Sequence, residues 1–470
     1  MSGMDVVIMA AGKGTRMKSR TPKVLHTLGG LPLIEHVIKV SLALGARRQV
    51  VVVGHGSAQV KAALAHHEAL AFALQEPQLG TGHALQTAAQ HLPALTPAGC
   101  TLVLSGDVPL IGLSTLESLV LASEQQHLTL LTLKTPHPQG YGRIVRSPAA
   151  GHRVMGIVEE KDASPQERLI DEVYVGVMVI PNAHLHRWLA ALNNHNAQQE
   201  YYLTDLVAMA VGEGLAVHTH ACLNASEVAG VNDPEQLAAL ERAFQLKVAQ
   251  QLMREGVRLA DPARIDVRGE LQVSQDVEID VGCVFEGRVV LGEGVKIGAH
   301  CVLSNAQLSA GVQVKPFTHI QGESASALIQ VGESCELGPY ARLRPGTVLE
   351  RDVHIGNFVE IKNSSLGVGS KANHLAYVGD AQMGARVNYG AGSITANYDG
   401  ANKHKTVIED DVHVGSNSVL VAPVRLGQGG TVGAGSVISR DTPEAALSVT
   451  RAKTVTVAHW SRPQKKVNKS

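Results

Sequence analysis

The 470-residue sequence has few aromatic residues, few cysteines and little charge. Aromatic residues make up 3% of the chain while glycine occurs 47 times, which argues against an ordinary core packed with rings. The formal net charge of -1 excludes a global electrostatic attraction to nucleic acid or anionic lipid. The five cysteines are widely spaced without a CxxC pair, and they predict neither a disulfide framework nor a zinc site: Cys100, Cys222, Cys283, Cys301 and Cys335.

Long apolar runs are also missing from the sequence. No stretch of about 18 consecutive apolar residues occurs, so we expect no membrane-spanning helix. Residues 1–5 contain no basic segment, and the apolar run 6–11 is too short for a signal peptide. These features favour a cytoplasmic protein with reduced thiols.

The first half of the chain alternates short apolar runs with helix-like stretches such as residues 32–44 and 113–124. This alternation predicts an α/β fold with a mostly parallel sheet. Such a sheet binds ligands beyond the carboxyl ends of its strands. The runs that we expect to be buried strands are residues 6–9, 50–53, 101–104, 128–133 and 175–180.

A long helix is predicted over residues 233–255. Asp233 can cap it, Pro234 suits its first position, and Gln236 suits the capping box. The helix either connects two domains or ends the first one. We expect an α/β domain over residues 1–232, a connecting helix over 233–256, a repeat domain over 257–460 and a disordered basic tail over 461–470. One apolar stripe of the helix is formed by Leu237, Leu240, Phe244, Val248 and Leu252.

Beyond residue 262, aliphatic residues recur every six positions, often followed by glycine. Neither a helix period of 3.6 nor a strand period of 2 produces this spacing. A hexad predicts a triangular coil of about 18 residues, with one inward side chain on each face. A sandwich of ordinary strands would instead show strict alternation. The three runs are Ile279, Phe285, Leu291, Ile297 and Leu303; Val331, Leu337, Leu343, Leu349, Ile355 and Ile361; and Ile408, Val414, Leu420, Leu426, Val432 and Ile438.

The hexad register is expected to break between Ile361 and Ile408, with residues 394–407 projecting as a loop. We also expect no room for aromatic rings in so narrow a column. The pattern does not determine the handedness of the coil, because the usual right-handed crossover is only a default.

The predicted strand 6–9 leads into a turn rich in small residues, where backbone N–H groups can approach phosphate oxygens. The turn is not a Walker loop, because it lacks the Gly-Lys-Ser/Thr ending. It is not a dinucleotide fingerprint either, because Met17 takes the place of the third glycine. Lys23 follows closely and offers a further cation, while the small and amide residues of segment 75–82 suit contacts with a base or ribose.

Asp107 follows the predicted strand 101–104. A carboxylate at the carboxyl end of a buried strand is well placed to hold Mg²⁺ between phosphates, although a loop-capping role is the alternative. The repeat half has its own polar stretch, which an aliphatic column does not require and which predicts an anion site around an imidazole: Arg344, Lys362, Asn373, His374, Tyr377, Asn388, Tyr389, Asn397, Tyr398, Asp399 and Lys403.

Four segments carry a family resemblance: residues 10–17 (AAGKGTRM), 22–25 (PKVL), 78–82 (QLGTG) and 106–110 (GDVPL). They closely resemble motifs of the sugar-phosphate nucleotidyltransferases. Together with the hexapeptide half, the chain up to the basic tail resembles the bifunctional bacterial family that makes UDP-N-acetylglucosamine for peptidoglycan and lipopolysaccharide. The resemblance implies a Rossmann-like nucleotidyltransferase domain followed by a left-handed parallel β-helix.

For the first half, the resemblance implies Mg²⁺-dependent uridylyl transfer from UTP to N-acetylglucosamine 1-phosphate. It implies catalytic cations at Arg16 and Lys23 and metal ligands at Asp107 and Asn232. It places nucleotide and sugar contacts at Met9, Ala10, Ala11, Gly12, Gln75, Gly80, Thr81, Ser105, Gly106, Gly142 and Glu159.

The chain departs from the family pattern at two positions. Ser105 stands where the family usually has tyrosine before the Gly-Asp pair. Tyr174 stands where a sugar-binding asparagine is expected before Gly176. The second departure puts sugar affinity or selectivity in question.

For the second half, the resemblance implies acetyl transfer from acetyl-CoA to the amine of glucosamine 1-phosphate, with His374 as general base. It also implies a homotrimer with its acetyl-transfer sites between neighbouring coils. The sugar phosphate would be held by Arg344, Lys362, Tyr377, Asn388 and Lys403, and acetyl-CoA by Ala391, Asn397, Tyr398, Ser416, Ala434 and Arg451.

Two alternatives stay open at this point. A nucleotidyltransferase whose solenoid only regulates or oligomerises would have no reason to keep the polar residues from His374 to Lys403. A non-enzymatic scaffold or ice-binding solenoid would show flat rows of threonine on one face, whereas the third position of these hexads is mixed.

Overall fold

The computed structural model describes residues 3–92, 98–148 and 152–463. The predicted tail cations Lys465, Lys466 and Lys469 therefore lie outside the described residues. The chain divides into two compact units, Met1–Val248 and Ala249–Ser470, and the boundary falls inside the long helix Pro234–Arg254. Among the described helices, none combines the length and the apolar character needed to cross a membrane.

The first unit is built on a nine-stranded sheet with a small separate hairpin, and all five predicted strands occur in it. In chain order its strands are β1 (Met4–Ala10), β2 (Thr27–Leu28), β3 (Leu31–Pro32), β4 (Arg48–Val53), β5 (Ala71–Leu74), β6 (Cys100–Ser105), β7 (Leu128–Lys134), β8 (Gly142–Arg146), β9 (Val154–Val158), β10 (Glu172–Pro181) and β11 (Val217–Cys222). The separate hairpin is β2 with β3.

The main path of the sheet runs β11-β7-β10-β6-β1-β4-β5. Strands β6, β1, β4 and β5 are parallel to one another, and β10 runs antiparallel between β7 and β6. Apolar side chains cover both faces of the central strands, as the near-continuous apolar runs predict. The carboxyl ends of β1 and β6 therefore meet at one edge of the sheet, where the candidate phosphate residues follow.

The helices of this unit flank the sheet, and the two predicted ones are present with ends shifted by one or two residues. Their bounds are α1 (Leu33–Ala43), α2 (Ser57–Ala63), α3 (Thr81–Ala89), α4 (Leu113–Ala122), α5 (Asn182–Ala191), α6 (Asp205–Gly212) and α7 (Pro234–Arg254), with 3₁₀ turns at Thr15–Met17, Lys23–Leu25, Glu167–Leu169 and Ala225–Glu227.

Helix α7 begins as its capping residues predict. The Asp233 side chain accepts a hydrogen bond from the backbone N–H of Gln236 at 2.8 Å. The Gln236 side chain reaches back one residue further than a standard capping box and accepts from the backbone N–H of Asn232 at 2.8 Å. The cap therefore holds Asn232 in place at the start of the helix.

The second unit is a parallel β-helix with three faces. The first face is an eleven-stranded sheet: Arg258–Leu259, Glu278–Ile279, Lys296–Ile297, Gln313–Val314, Glu336–Leu337, His354–Asn357, Lys371–His374, Asn388–Tyr389, His413–Val414, Thr431–Val432 and Leu447–Ser448. Each strand pairs with its counterpart in the neighbouring coils.

The other two faces form one sixteen-stranded sheet, because the long strands Ile265–Val273, Cys283–Leu291 and Val302–Leu308 run through both. The second face continues with His319–Gln321, Arg342–Leu343, Glu360–Lys362, Tyr377–Gly379, Ile394–Ala396, Val419–Val421 and Val437–Ile438. The third continues with Ile329–Val331, Val348–Leu349, Ser365–Leu366, Ala381–Met383, Thr406–Ile408 and Val424–Leu426.

The predicted break of the hexad register is present in the stretch between Ile361 and Ile408. Coils continue through it, but some contain 17 residues instead of 18, as the pairings His354↔Lys371 and Arg342↔Glu360 show. The shortened coils move the inward positions off the strict hexad. The projecting loop itself is real and lies between the strands Ile394–Ala396 and Thr406–Ile408.

The expectation that the column has no room for aromatic rings is wrong. Tyr389 is only 2% exposed and points into the column. Its strand partner in the coil below is Ala372, whose small side chain leaves the volume that a ring needs. The few aromatics therefore reflect a narrow column, but not one that excludes rings altogether.

One corner of the coils carries a column of residues with left-handed backbone. His300, Phe317, Tyr340 and Phe358 occupy this corner with φ between 55° and 60°. Their rings stack on one another with centroids 5.0–5.3 Å apart. A non-glycine residue in the left-handed conformation costs about 1 kcal/mol of folding free energy. Each stacked pair of rings stabilises the fold by a similar amount. Above Phe358 the corner residues become Leu375, Gly392, Asn417 and Gly435, so the aromatic column ends there.

Candidate functional sites

The turn after β1 brings Lys23 towards the ends of β1 and β6. Gly14 has φ of 59°, and a Cβ atom on it would lie 2.8 Å from the Cβ atom of Lys23. Glycine is therefore required both for the left-handed backbone and for the close approach of the two segments. Gly12 and Lys13 lie on the exposed side of the turn.

Lys23 joins the two predicted metal ligands. Its Nζ atom pairs with Asp107 and donates to Oδ1 of Asn232 at 3.3 Å. Asn232 reaches this position because Val231 N–H donates to the carbonyl of Asp107 at 2.9 Å and because the α7 cap holds the Asn232 backbone. The side chains of Lys23 and Asp107 are 15% and 20% exposed, so the cation and the carboxylate remain open to a ligand.

A cavity of about 460 Å³ opens beside this trio. It contains ten of the residues that the resemblance assigns to the nucleotide site, and sequence reasoning did not select Lys13, Val24, Gln78, Ala84 and Glu200 as site residues. Its lining is Met9, Ala10, Ala11, Gly12, Lys13, Lys23, Val24, Gln75, Gln78, Gly80, Thr81, Ala84, Ser105, Asp107 and Glu200.

Amide side chains shape the wall of the cavity opposite Asp107. Gln75 is buried and donates to the carbonyl of Gly80 at 2.9 Å, while Gln78 donates to the carbonyl of Ala11 at 2.8 Å. Gly80 has φ of 106°, and a Cβ atom there would lie 2.6 Å from the carbonyl oxygen of Tyr201. Gln78 stands inside the QLGTG motif and is one of the amide residues of segment 75–82 that suit contacts with a base or ribose.

Five of the implied residues do not line this cavity. Arg16 is exposed on the 3₁₀ turn Thr15–Met17. The backbone N–H of Gly106 donates to the carbonyl of Met9 at 2.9 Å, and Gly106 does not line the cavity. Asn232 contacts the site through the Nζ atom of Lys23. Gly142 and Glu159 lie together beside Tyr174.

Gly142, Glu159 and Tyr174 form a second cluster of the first unit. Tyr174 pairs with Gly142 across β10 and β8, and a Cβ atom on Gly142 would lie 3.6 Å from Oε2 of Glu159. Burial raises the pKa of Glu159, against a hydrogen bond from Thr204, and neighbouring carboxylates raise it further. This carboxyl group therefore takes up a proton at higher pH than an ordinary glutamate.

Tyr174 is 8% exposed, and within the described residues its hydroxyl has no hydrogen-bond partner. Burial, followed by the charge of Glu159, raises its pKa well above the ordinary value, so the phenol stays neutral and can donate. Ser105, the other departure from the family pattern, donates to the carbonyl of Gly176 at 3.3 Å, two residues further along β10.

Replacement Tyr174→Phe tests the use of this hydroxyl. Losing an unpaired buried hydroxyl should stabilise the folded protein by about 1 kcal/mol in urea unfolding. If the hydroxyl donates to the bound sugar, KM for the sugar phosphate should rise roughly fivefold with kcat unchanged. An unchanged KM would show that the hydroxyl makes no contact with substrate.

In the second unit, His374 lies at the end of a first-face strand. Its Nδ1 atom lies 3.0 Å from Oδ1 of Asn357, its partner in the coil below. Because a carbonyl oxygen only accepts, Nδ1 carries the hydrogen in this pair, and in the neutral ring Nε2 is then the nitrogen with the lone pair. Asn357, which sequence reasoning missed, therefore sets the tautomer that a general base requires.

Small residues continue the position of His374 along the same corner. The coil above His374 places Ala391 there, followed by Ser416 and Ala434, as the ladder of backbone hydrogen bonds to Gly392, Asn417 and Gly435 shows. Arg451 lies near the end of this column, with Nη2 at 3.3 Å from a Cβ atom built on Gly433. The corner thus changes from stacked rings below His374 to a row of small residues above it.

The predicted cations gather on the second face and the projecting loop. The side-chain hydrogen bond with Lys403, followed by burial and by repulsion from Lys403 and Arg344, lowers the pKa of Lys362. Arg344 is not a free cation, because Nη1 donates to Oε1 of Glu360 at 2.8 Å. A dianionic ligand would relieve the repulsion between the lysines.

Tyr377 follows His374 by three residues and starts the strand Tyr377–Gly379 of the second face. Its hydroxyl covers Gly379, the strand partner of Lys362, where a Cβ atom would collide with it. Asn388 contacts His413 at 3.2 Å on the first face. Within one chain the structure thus places His374 at a corner with Asn357, Lys362 on the following face and Lys403 on the projecting loop.

The projecting loop is an ordered hairpin. Tyr398 and Lys403 form a bridge across it, and Asp399 accepts from the backbone of Ala401 and Asn402 and pairs with His404 at 2.7 Å. These donors hold the pKa of Asp399 well below its ordinary value. Asn397, at the base of the loop, donates to Asp380.

Family models match three parts of the chain. Residues 6–201 match the MobA-like NTP transferase domain, residues 267–365 match the GMPPB C-terminal domain, and residues 405–440 match the six-repeat bacterial transferase hexapeptide. The first match covers the cavity and the sheet except for β11 and the start of β1, and the other two fall in the β-helix.

Full-length relatives are similar over almost the entire chain. A protein named Bifunctional protein GlmU from Acidovorax ebreus (strain TPSY) is 59% identical over 479 residues, which covers 99% of each chain. Its namesake from Paracidovorax citrulli (strain AAC00-1) is 60% identical over 476 residues, again 99% of each chain. Another from Azoarcus sp. (strain BH72) is 56% identical over 462 residues, covering 98% of this chain and all of the relative.

The fold and these matches define a bifunctional transferase, with a nucleotidyltransferase unit followed by a hexapeptide-repeat acyltransferase unit. At this identity over the full length, the chain belongs to the GlmU family.

Proposed function

We propose that the chain makes UDP-N-acetylglucosamine in two steps. The β-helix unit transfers an acetyl group from acetyl-CoA to glucosamine 1-phosphate. The α/β unit then joins the resulting N-acetylglucosamine 1-phosphate to a uridylyl group from UTP and releases pyrophosphate. The order follows from the chemistry, because the product of the first reaction is the acceptor of the second.

The arrangement around Lys23 fits a magnesium ion. Oxygen atoms of Asp107 and Asn232 converge on one cation, the Lys23 ammonium, and carboxylate and amide oxygens are ligands that Mg²⁺ accepts. Two protein ligands suit this ion, which usually keeps water and substrate phosphates in its other positions. When bound, Mg²⁺ supplies positive charge to the phosphate oxygens.

In uridylyl transfer, an oxygen of the sugar phosphate attacks the α-phosphorus of UTP. A new P–O bond forms as the bond to the leaving pyrophosphate breaks, so negative charge grows on the leaving group. Lys23 is placed to neutralise that charge, while the amides of Gln75 and Gln78 shape the wall that receives the base. Catalysis here is mainly positioning and charge stabilisation. Arg16 would need its exposed turn to close over the phosphates.

In acetyl transfer, the amine of the sugar attacks the thioester carbonyl. Nε2 of His374 takes the amine proton, the C–N bond forms and the C–S bond breaks, and the coenzyme leaves as a thiol once protonated. Lys362 and Lys403 would bind the sugar phosphate, and the row of small residues from Ala391 to Ala434 would receive the extended coenzyme beside His374.

The single observation that carries this proposal is that each unit has its own reactive centre, Lys23 with Asp107 and Asn232 in one and His374 with Asn357 in the other. We also propose a homotrimer. A coil of a neighbouring protomer would complete the groove at the corner of His374 and bring further cations to it.

Two assays on one purified preparation test the proposal. Glucosamine 1-phosphate should cause thiol release from acetyl-CoA, and N-acetylglucosamine 1-phosphate with UTP and MgCl₂ should cause pyrophosphate release. Light scattering should give three times the mass of one chain. Failure of either release at millimolar substrate would refute the corresponding half of the proposal.

A further inference from the structure

A cluster of ligand-type side chains lies outside the two centres described above. It joins Glu35, in the first turn of α1, to His66 and His67, in the turn that follows α2. None of the three lines the cavity at Lys23. The two segments are separated by about thirty residues of sequence, so the fold alone brings these side chains together.

Both imidazoles of this cluster contact the same carboxylate. Nε2 of His66 lies 2.9 Å from Oε1 of Glu35, and Nε2 of His67 lies 2.9 Å from Oε2 and 3.1 Å from Oε1 of the same carboxylate. One ligand atom from each residue falls within 4.8 Å of the other two. The two imidazole rings lie side by side with centroids 4.1 Å apart, so both Nε2 atoms face the carboxylate.

The spacing is close to that of a metal site. Bonds of about 2.0–2.1 Å in a tetrahedral site place neighbouring donors roughly 3.3 Å apart. Each imidazole nitrogen would therefore move away from the carboxylate by only a few tenths of an ångström to admit an ion. Two imidazoles and one carboxylate form the three-ligand set of open zinc sites, in which water completes the coordination.

Burial differs among the three residues in a way that suits this arrangement. The Glu35 side chain is 6% exposed and that of His67 is 18% exposed, so both are held by the fold. His66 is 62% exposed and leaves a path from solvent to the ligand atoms. The His67 backbone is fixed by a bond from its N–H to the carbonyl of Leu64, at 3.0 Å, where Leu64 is buried in the core.

We propose that Glu35, His66 and His67 form a binding site for a divalent transition-metal ion of the zinc class. Imidazole ligands select Zn²⁺, Co²⁺ or Ni²⁺ over Mg²⁺, which prefers oxygen ligands only. A bound ion ties the first turn of α1 to the turn after α2 and so stabilises the first unit. The site is independent of both proposed reactions.

Cobalt binding to the full chain provides the test. After removal of metals by a chelator, CoCl₂ should bind and give visible d–d absorption without the near-ultraviolet band of a thiolate ligand, which excludes the cysteines. Calorimetry with ZnCl₂ should give one ion per chain at this site. Saturation with ZnCl₂ should raise the unfolding temperature of the first unit by roughly 5 °C.

Two variants and one matched control locate the site. His66→Ala, at an exposed position that should not disturb folding, and Glu35→Gln should each weaken Zn²⁺ binding by about tenfold or more. His127→Ala removes another histidine of the same unit whose Nε2 lies 3.8 Å from a carboxylate oxygen of Glu124, and it should leave binding unchanged. No Co²⁺ binding by the wild type, or binding that His66→Ala leaves unaltered, would overturn the proposal.

Discussion

Replacement of His374 by alanine should reduce thiol release from acetyl-CoA by at least about 100-fold and leave pyrophosphate release at its wild-type rate. We propose the imidazole as the group that takes the proton from the attacking amine, and loss of a general base typically costs two to four orders of magnitude. The side chain is exposed and its hydrogen-bond partner is Asn357, so the coil should remain intact. The measurement is kcat/KM for each reaction on the same preparation.

A matched histidine provides the control for this result. His300 occupies the same corner of the β-helix several coils earlier, where its ring stacks on Phe317. His300→Ala should keep both activities. If His374→Ala kept thiol release, or lost pyrophosphate release as well in a folded trimer, the assignment of the general base would be wrong.

Replacement of Asp107 by asparagine should have the opposite effect. It keeps the size of the side chain but removes the negative charge that faces Lys23, and with it the carboxylate that we propose as a ligand for Mg²⁺. A metal contributes several kcal/mol to such a transition state, so pyrophosphate release should fall by about 100-fold or more. Thiol release should not change.

The dependence on MgCl₂ separates a binding role of Asp107 from a structural one. If Asp107 holds the ion, higher MgCl₂ should recover part of the activity of Asp107→Asn, since Asn232 remains in place. Thermal unfolding of the variant should stay close to that of the wild type. Loss of both activities by this variant would contradict the separation of the two centres.

The β-helix was predictable because its inward positions repeat. Each face needs one aliphatic residue per coil, so the hexad appears directly in the sequence. The inward positions between Ile361 and Ile408 escaped prediction for two local reasons. Coils of 17 residues shift the spacing, and the inward residues Ala372 and Tyr389 do not look like members of an aliphatic series.

The sheet of the first unit was predictable where strands are buried on both faces. The strands that went unpredicted are β5, the hairpin β8 with β9, and β11. The last of these is partly exposed and carries His218 and His220 between its apolar ends. Strands at the margin of a sheet bury fewer residues and leave a weaker apolar run.

The candidate centres were predictable only in part. Asp107 follows a strong strand signal, but only a resemblance pointed to Asn232, because its position depends on a backbone bond of Val231 and on the cap of α7. Asn357 is found only from the register that pairs it with His374. Whether the remaining implied residues bind substrate stays a prediction.

The coils of the second unit also bear on how such a chain can change length. Each coil pairs with the one before and the one after it, and many coils span 17 or 18 residues, as in His354↔Lys371 and Arg342↔Glu360. Loss or duplication of one complete coil would shorten or lengthen the β-helix by one layer and would leave the strand pairings of the remaining coils in place. The number of coils can therefore change during evolution without a change in the proposed chemistry, provided that the coils from Asn357 onward are kept.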